Sequence, residues 1–238
     1  GGQGEPAPSE QPEVVALSLG DEICGFLRTL PMEKILELIL VLVIVGAVLA
    51  FGGVQPLTIA LVEVLLFSAT LVLLIKQTRQ GKIRLPLPVW PLLLVLWVVL
   101  QVISLPWWLV LRVSPGRLEG LGVGGASSVP FAWTTLSIYP HDTVLAGIKL
   151  LAYLCAFVLA AYLFDSHHGR SRLVGGLIFI GSFEAAYGIV QYLTGWHKIF
   201  TYAKQYDLHE ATGTYINRNH FAGLLELTAP FVVAWIFY

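Results

Sequence analysis

The densest group of chemically capable residues lies between Gly213 and Gly223, where an apolar run begins. Two amides, Asn217 and Asn219, flank Arg218, and His220 follows them. If the apolar run is a helix, these donors gather at its amino terminus, where backbone N–H groups and the helix dipole favour anions. Arg218 adds a planar, two-pronged contact that phosphate accepts well. The pattern therefore indicates an anion site, with His220 as donor, acceptor or proton carrier.

The same residues also fit a structural role at the end of a membrane span. In that interpretation Asn217 or Asn219 caps the helix, and Arg218 extends toward lipid headgroups. The sequence alone leaves the choice between an anion site and a helix cap open.

Ionisable residues also occur inside the apolar runs, where a charge is costly unless it faces a bundle interior or a wet cavity. These polar residues are Glu63, Lys149, Glu184 and Glu226, with Gln101 and Gln191 as neutral neighbours. Lys149 is placed to reach an anionic headgroup near the external end of its span, and Glu226 to hold a cation or accept a proton. A structural ion pair of Lys149 with a glutamate explains the same residues, and so does a proton path in a transporter.

The composition of the chain requires a membrane environment for these side chains. Of the 238 residues, 56% are apolar and only 12% are charged, against about 25% charged in soluble domains. Mean hydropathy is +0.76, and several apolar runs approach the roughly 20 residues that cross a bilayer. The net charge of −1 leaves no basic surface for nucleic acid. Cys24 and Cys155 are predicted at different depths and indicate neither a disulfide nor a metal site.

The predicted fold class is all-α, a polytopic helical membrane bundle of about six transmembrane helices. Residues 1–12 are expected to form a disordered tail, and residues 13–34 an amphipathic helix on the membrane surface. A truncated bundle occupies residues 35–238, because Gly1 in place of Met and an apolar run at Tyr238 lead us to expect a fragment. Its spans are predicted at 35–54, 57–75, 89–105, 144–164, 173–194 and 221–238, and Gln55 and Pro56 form a tight turn between the first two.

Lysine and arginine orient this bundle, because basic residues in short loops stay on the cytoplasmic side. The loop between the second and third spans carries no acid and four basic residues, Lys76, Arg79, Lys82 and Arg84. That loop, the amino terminus and residues 165–172 are therefore predicted to be cytoplasmic. Residues 106–143 and 195–220 are predicted to lie outside.

Two segments of the chain resemble a known family of membrane proteins. Residues 213–231, GTYINRNHFAGLLELTAPF, resemble the signature G-T-aromatic-x-N-x-N-x-F-A, followed by an apolar helix with a proline, of the O-antigen ligase and O-antigen polymerase superfamily. Residues 136–143, LSIYPHDT, resemble the L-S-x-x-P-x-x-T segment that precedes a span in that family. The two segments occur in the family's order and on the same predicted membrane face. Arg218 stands where proline is common, which leaves its role open.

The resemblance implies a lipid-carrier-dependent glycosyltransferase, similar to the GT-C type, in the bacterial inner membrane with a cytoplasmic amino terminus. The donor would be a glycan on undecaprenyl diphosphate, and the acceptor a lipid A-core sugar, another repeat unit or a protein hydroxyl. The expected activity is that of an O-antigen ligase, with a repeat-unit polymerase or a protein O-glycosyltransferase as alternatives. A transporter or flippase is the alternative of another class. No cofactor, metal site or nucleic-acid partner is expected.

The resemblance covers the amino-terminal half of a typical member, whose best-known Arg and His lie in a later external loop. Catalytic residues are therefore expected beyond Tyr238 and are not assigned in this sequence. Cationic side chains would stabilise the departing diphosphate more in the transition state than in the ground state. The predicted donor-diphosphate contacts are Arg218, Lys149, Asn217, Asn219 and His220, with Glu226 and Glu184 as supporting polar residues and Arg112, Arg117, Lys198 and Lys204 as weaker candidates.

Overall fold

The chain is mainly helical in the residues that the computed structural model describes, which are 32–81, 90–116 and 133–237. Seven α-helices occur in these ranges: α1 (Met32–Leu49), α2 (Pro56–Arg79), α3 (Trp90–Val102), α4 (Trp107–Val113), α5 (Pro140–Leu163), α6 (His167–Thr194) and α7 (Arg218–Phe237). The predicted tail, and the predicted surface helix up to residue 31, lie outside the described residues.

Four of these helices, α2, α5, α6 and α7, are long and apolar enough to cross a membrane, by length and composition. The 24 residues of α2 span about 36 Å at 1.5 Å per residue, against a hydrocarbon core of about 30 Å. α3 has only 13 residues, and α1 carries Glu33, Lys34 and Glu37 in its first turns. Four candidate spans are therefore observed, and a count of six stays a prediction.

The connection between α1 and α2 is longer than the two-residue turn predicted from the sequence. α1 ends at Leu49, and a 3₁₀ turn (Phe51–Gly53) precedes α2. All three residues of this turn have positive φ angles, between 58° and 71°, which a right-handed helix does not contain. Pro56 is the first residue of α2 rather than part of the turn, because the first helical turn does not need its missing N–H.

The helices run between two ends of the bundle. The basic end contains the start of α1, the end of α2 and the start of α6, which ion pairs hold together. There Lys76 Nζ lies 2.6 Å from Glu33 Oε1, which joins the end of α2 to the start of α1. Arg172 Nε lies 2.8 Å from Glu37 Oε1, which brings the start of α6 to the same place.

The opposite end, the loop end, contains the α1–α2 turn, the first residues of α5 and α7, and residues 195–217. Two small antiparallel pairings occur there. β1 (Leu105–Pro106) pairs with β2 (Trp133–Thr134), and β3 (Lys198–Ile199) pairs with β4 (Tyr202–Ala203). Both predicted external segments therefore meet the bundle at one end.

The main apolar core forms where α1, α2 and α5 meet. On α1 and α2 its buried residues recur every three or four positions, and on α5 Ala152 and Leu159 are seven positions apart, so that each set lies on one helix face. They are Leu36, Leu40, Val43, Leu66, Ala69, Leu73, Ala152, Leu159 and Phe164. The outer faces of the same helices keep large apolar side chains exposed, for example Leu57 and Leu61, which suits contact with lipid.

Small residues allow α6 and α7 to pack closely. A Cβ atom at Gly188 would lie 2.7 Å from Phe221 Cζ, and one at Gly181 would lie 2.7 Å from Thr228 Cβ. The two glycines are about two turns apart and share a face of α6, the arrangement that brings membrane helices together. This contact fixes α7, whose first residues belong to the candidate site.

Candidate functional site

The segment that resembles the family signature divides into a buried half and an exposed half. Thr212 and Thr214 are fully buried, and Tyr215 is 8% exposed. Residues 217–220 are all exposed. The first half therefore belongs mainly to the packed interior of the loop end, and the second half is exposed.

Glu184, in α6, holds the buried half in place. Its side chain is fully buried, the Thr214 N–H donates to its Oε2 at 2.8 Å, and the Thr214 hydroxyl lies 2.7 Å from its Oε1. The same hydroxyl lies 3.0 Å from the carbonyl oxygen of Val48. Because the last carbonyls of a helix have no partner in that helix, Thr214 both caps α1 and joins it to α6.

Gln191 makes a second set of buried hydrogen bonds about two turns further along α6. Its amide nitrogen donates to the carbonyl oxygens of Lys198 and Gly213, both at 3.0 Å. Its amide oxygen accepts from the Thr212 N–H at 3.2 Å. From the sequence Gln191 was only a neutral polar neighbour, although its spacing from Glu184 places the two on one helix face.

Two aromatic contacts bind the α1–α2 turn to the same loop. A Cβ atom at Gly52 would overlap the ring of Tyr215, and the rings of Phe51 and Tyr202 meet edge to face with centroids 5.5 Å apart. Burial raises the pKa of Tyr215 to about 12, and the nearby Glu184 carboxyl adds to this effect. Tyr215 is therefore a neutral packing residue at physiological pH.

Arg218 is the first residue of α7 and faces two acids of the preceding loop. Its Nη1 lies 3.1 Å from Glu210 Oε1, and its Nε lies 4.0 Å from Asp207 Oδ1. The side chain is still 53% exposed. An anion that binds this guanidinium must therefore compete with two carboxylates, which the sequence pattern did not indicate.

Lys204 is a buried cation of the same loop, and its Nζ donates to the Glu210 carbonyl oxygen at 2.7 Å. Burial lowers the pKa of Lys204 from 10.5, although Asp207 and Glu210 act in the opposite direction.

The lowered pKa of Lys204 makes the stability of the fold depend on pH. In an interval just below pH 10.5 the unfolded chain holds a proton on Lys204 that the folded loop lacks, so the free energy of unfolding rises with pH there. We expect the melting temperature of the natural protein, relative to Lys204→Met, to increase across that interval. If the difference in melting temperature between the natural protein and Lys204→Met does not change with pH, the lowered pKa of Lys204 is contradicted.

Asn217 caps α7, as the structural interpretation of the sequence proposed. Its Oδ1 accepts a hydrogen bond from the Asn219 N–H at 2.7 Å, and its carbonyl oxygen accepts from the Phe221 N–H at 3.2 Å. This cap occupies the Asn217 side chain and orients the residues that follow it.

A groove of about 530 Å³, which we call the outer groove, opens along α7 beside this cap. It is lined by Tyr215, Asn219, His220, Gly223, Leu224, Glu226 and Leu227. The α7 residues of this set recur at helical spacing and form one face. Asn219 and His220 supply hydrogen-bonding groups, Leu224 and Leu227 supply apolar surface, and Glu226 adds a carboxylate. The outer groove therefore combines hydrogen-bonding groups with an apolar wall.

Lys149 does not join this group. It is exposed on α5, and no hydrogen-bond or ion-pair partner for it occurs among the described residues. α5 packs mainly on α1, α2 and α3, whereas α7 packs on α6. The structure thus brings Asn219, His220 and Glu226 to one groove, places Arg218 next to it, and leaves Lys149 on another helix.

Within the described ranges, no three His, Cys, Asp or Glu side chains group in a way that could hold a metal ion. Comparison with models of protein families, with curated proteins and with solved structures finds no match for the chain. Fold and site together define a mostly helical protein with four candidate membrane spans. Its loop end is fixed by buried hydrogen bonds and carries an amphiphilic groove.

Proposed function

We propose that this protein is a membrane glycosyltransferase that moves a glycan from undecaprenyl diphosphate to a lipid A-core, as an O-antigen ligase does. The observation that carries the proposal is that residues 213–220 combine the buried Thr214, which fixes the loop, with the exposed Asn219 and His220, which line the outer groove. In this proposal the loop end faces the outside of the bacterial inner membrane, and the basic end faces the cytoplasm.

The outer groove suits a donor that is itself amphiphilic. Asn219 and His220 offer hydrogen bonds to phosphate or sugar oxygens, and the leucines of α7 offer a surface to the lipid chain. Arg218, which precedes Asn219, supplies a cation when the donor displaces Glu210. Charge that develops on the departing diphosphate is then met by donors already in place. A repeat-unit polymerase or a protein O-glycosyltransferase would use the same donor groove with a different acceptor.

A transporter or flippase would instead need a continuous path of ionisable groups. Glu184 is enclosed in hydrogen bonds to Thr214, and Glu226 lines the outer groove on α7. Lys149 lies on α5, which packs on other helices. This separation supports donor binding rather than ion passage.

Donor binding by the outer groove is tested with the purified protein and undecaprenyl diphosphate. We expect Arg218→Ala and His220→Ala each to weaken binding by roughly ten- to a hundred-fold, because a hydrogen bond to a charged group contributes about 1.5–3 kcal/mol. His141→Ala is the matched control, since His141 is an exposed histidine at the start of α5. Its donor affinity should equal that of the natural protein.

Glu210→Gln separates a donor contact of Arg218 from a purely structural one. If Arg218 binds the diphosphate, removal of the competing Glu210 carboxylate increases donor affinity. If Arg218 only fastens the loop, Arg218→Ala and Glu210→Gln both lower the melting temperature and neither changes donor affinity. The second result would contradict the proposed function.

A further inference from the structure

A second groove, at the basic end, has the polarity of a phospholipid site. Its volume is about 320 Å³, and it is lined by Met32, Val72, Ile75, Lys76, Arg79 and Gln80. We propose that this basic groove binds an anionic phospholipid of the adjoining leaflet, with the phosphate on Arg79 and the acyl chain along Val72 and Ile75. The inference is independent of the glycosyltransferase proposal.

The apolar and basic parts of the groove follow the order of a phospholipid molecule. Val72, Ile75 and Arg79 recur at helical spacing on one face of α2. The basic residues belong to the last turn of α2, and a helix of about 36 Å extends beyond a hydrocarbon core of about 30 Å. The last turn therefore lies at the level of the headgroups, with the apolar wall below it.

The two basic side chains of the groove differ in whether an acidic side chain already pairs with them. Lys76 is paired with Glu33 at 2.6 Å. Arg79 is exposed, and in the part of the chain that the structure describes it has no hydrogen-bond or ion-pair partner. A guanidinium binds phosphate with two parallel hydrogen bonds. Arg79 is thus the principal phosphate ligand, and the net positive charge favours an anionic headgroup over a zwitterionic one.

The apolar wall distinguishes a lipid from free phosphate. Val72 and Ile75 are 38% and 45% exposed, and an acyl chain covers them whereas a small anion does not. Lipid binding therefore gains from both the wall and the cation, which lie in a single groove.

The experiment is native mass spectrometry of the intact 238-residue protein in detergent, titrated with phosphatidylglycerol and with phosphatidylcholine. The natural protein should bind phosphatidylglycerol more tightly. Arg79→Ala should weaken that binding about five-fold, which corresponds to about 1 kcal/mol for one basic residue near a membrane surface. Arg79→Lys keeps the charge and should retain most of the preference.

Arg170→Ala is the matched control, because Arg170 is an exposed arginine near the start of α6 that does not line the basic groove. It should bind phosphatidylglycerol as the natural protein does. Equal binding of the two lipids by the natural protein would overturn the proposal, and so would equal behaviour of Arg79→Ala and Arg170→Ala. Glycerol phosphate that binds as tightly as phosphatidylglycerol would overturn it as well, because the apolar wall would then contribute nothing.

Discussion

Gly213→Ala is expected to destabilise the protein by about 2 to 5 kcal/mol, the sum of backbone strain and overpacking. Gly213 has a φ angle of 57°, which is unfavourable for alanine. A methyl group there would overlap Glu184 Oε2 and lie 2.6 Å from Phe221 Cε2. Both neighbours are buried, and Glu184 is held by Thr214, so neither can move aside without loss.

Two other glycines separate the causes of this effect. Gly195 has a φ angle of 65° with open space around its Cβ position, and Gly223 has open space and an ordinary φ. Gly195→Ala should therefore cost about 1–2 kcal/mol, and Gly223→Ala should cost much less. The measurement is the melting temperature of each purified variant in detergent. Equal losses for Gly213→Ala and Gly195→Ala would show that crowding by Glu184 and Phe221 is absent.

Thr214→Val is the second substitution with a large expected effect, about 1 to 3 kcal/mol. Valine keeps the shape of threonine but removes the hydroxyl that contacts Val48 and Glu184. The hydroxyl has a single proton to donate, so its removal leaves one buried acceptor, the Val48 carbonyl oxygen or the Glu184 carboxyl, without a donor. A buried polar atom left without its partner costs about 1–3 kcal/mol.

Thr194→Val is the control for this substitution. The Thr194 hydroxyl donates to the Val190 carbonyl oxygen within α6 and is exposed, so its loss should change stability by less than about 0.5 kcal/mol. A double-mutant cycle of Thr214→Val with Glu184→Leu should give a coupling of at least about 1 kcal/mol. Strictly additive losses would contradict a direct interaction between the two side chains.

The apolar runs of the sequence predict most of the helical fold. The prediction of a helical chain is confirmed for the described residues, and each of the six predicted spans contains a helix. Pro56 and Pro140, which start α2 and α5, are also typical of first turns. The turn at Phe51–Gly53 was missed, because the apolar residues around it continue the hydrophobic pattern.

The candidate site could be predicted only in part. The sequence predicted Asn217 or Asn219 as the cap of a helix and placed Glu226 in the same apolar run. It could not show that Thr214 contacts Glu184 and Val48, because these partners lie 30 and 166 residues away. Nor could it place Glu210 beside Arg218, since no periodicity governs the path of a loop.

The contact between Thr214 and Val48 also sets an order of assembly during synthesis. The two residues are 166 positions apart, and at about 5–20 residues per second roughly 8 to 33 s separate their emergence from the ribosome. Throughout that interval the α1–α2 hairpin lacks the hydrogen bond from Thr214 to the end of α1, and its turn lacks the contact with Tyr215. A pause in translation before α6 would lengthen this exposure. The α1–α2 hairpin is therefore synthesised first but reaches its final packing only after residue 214 has been made.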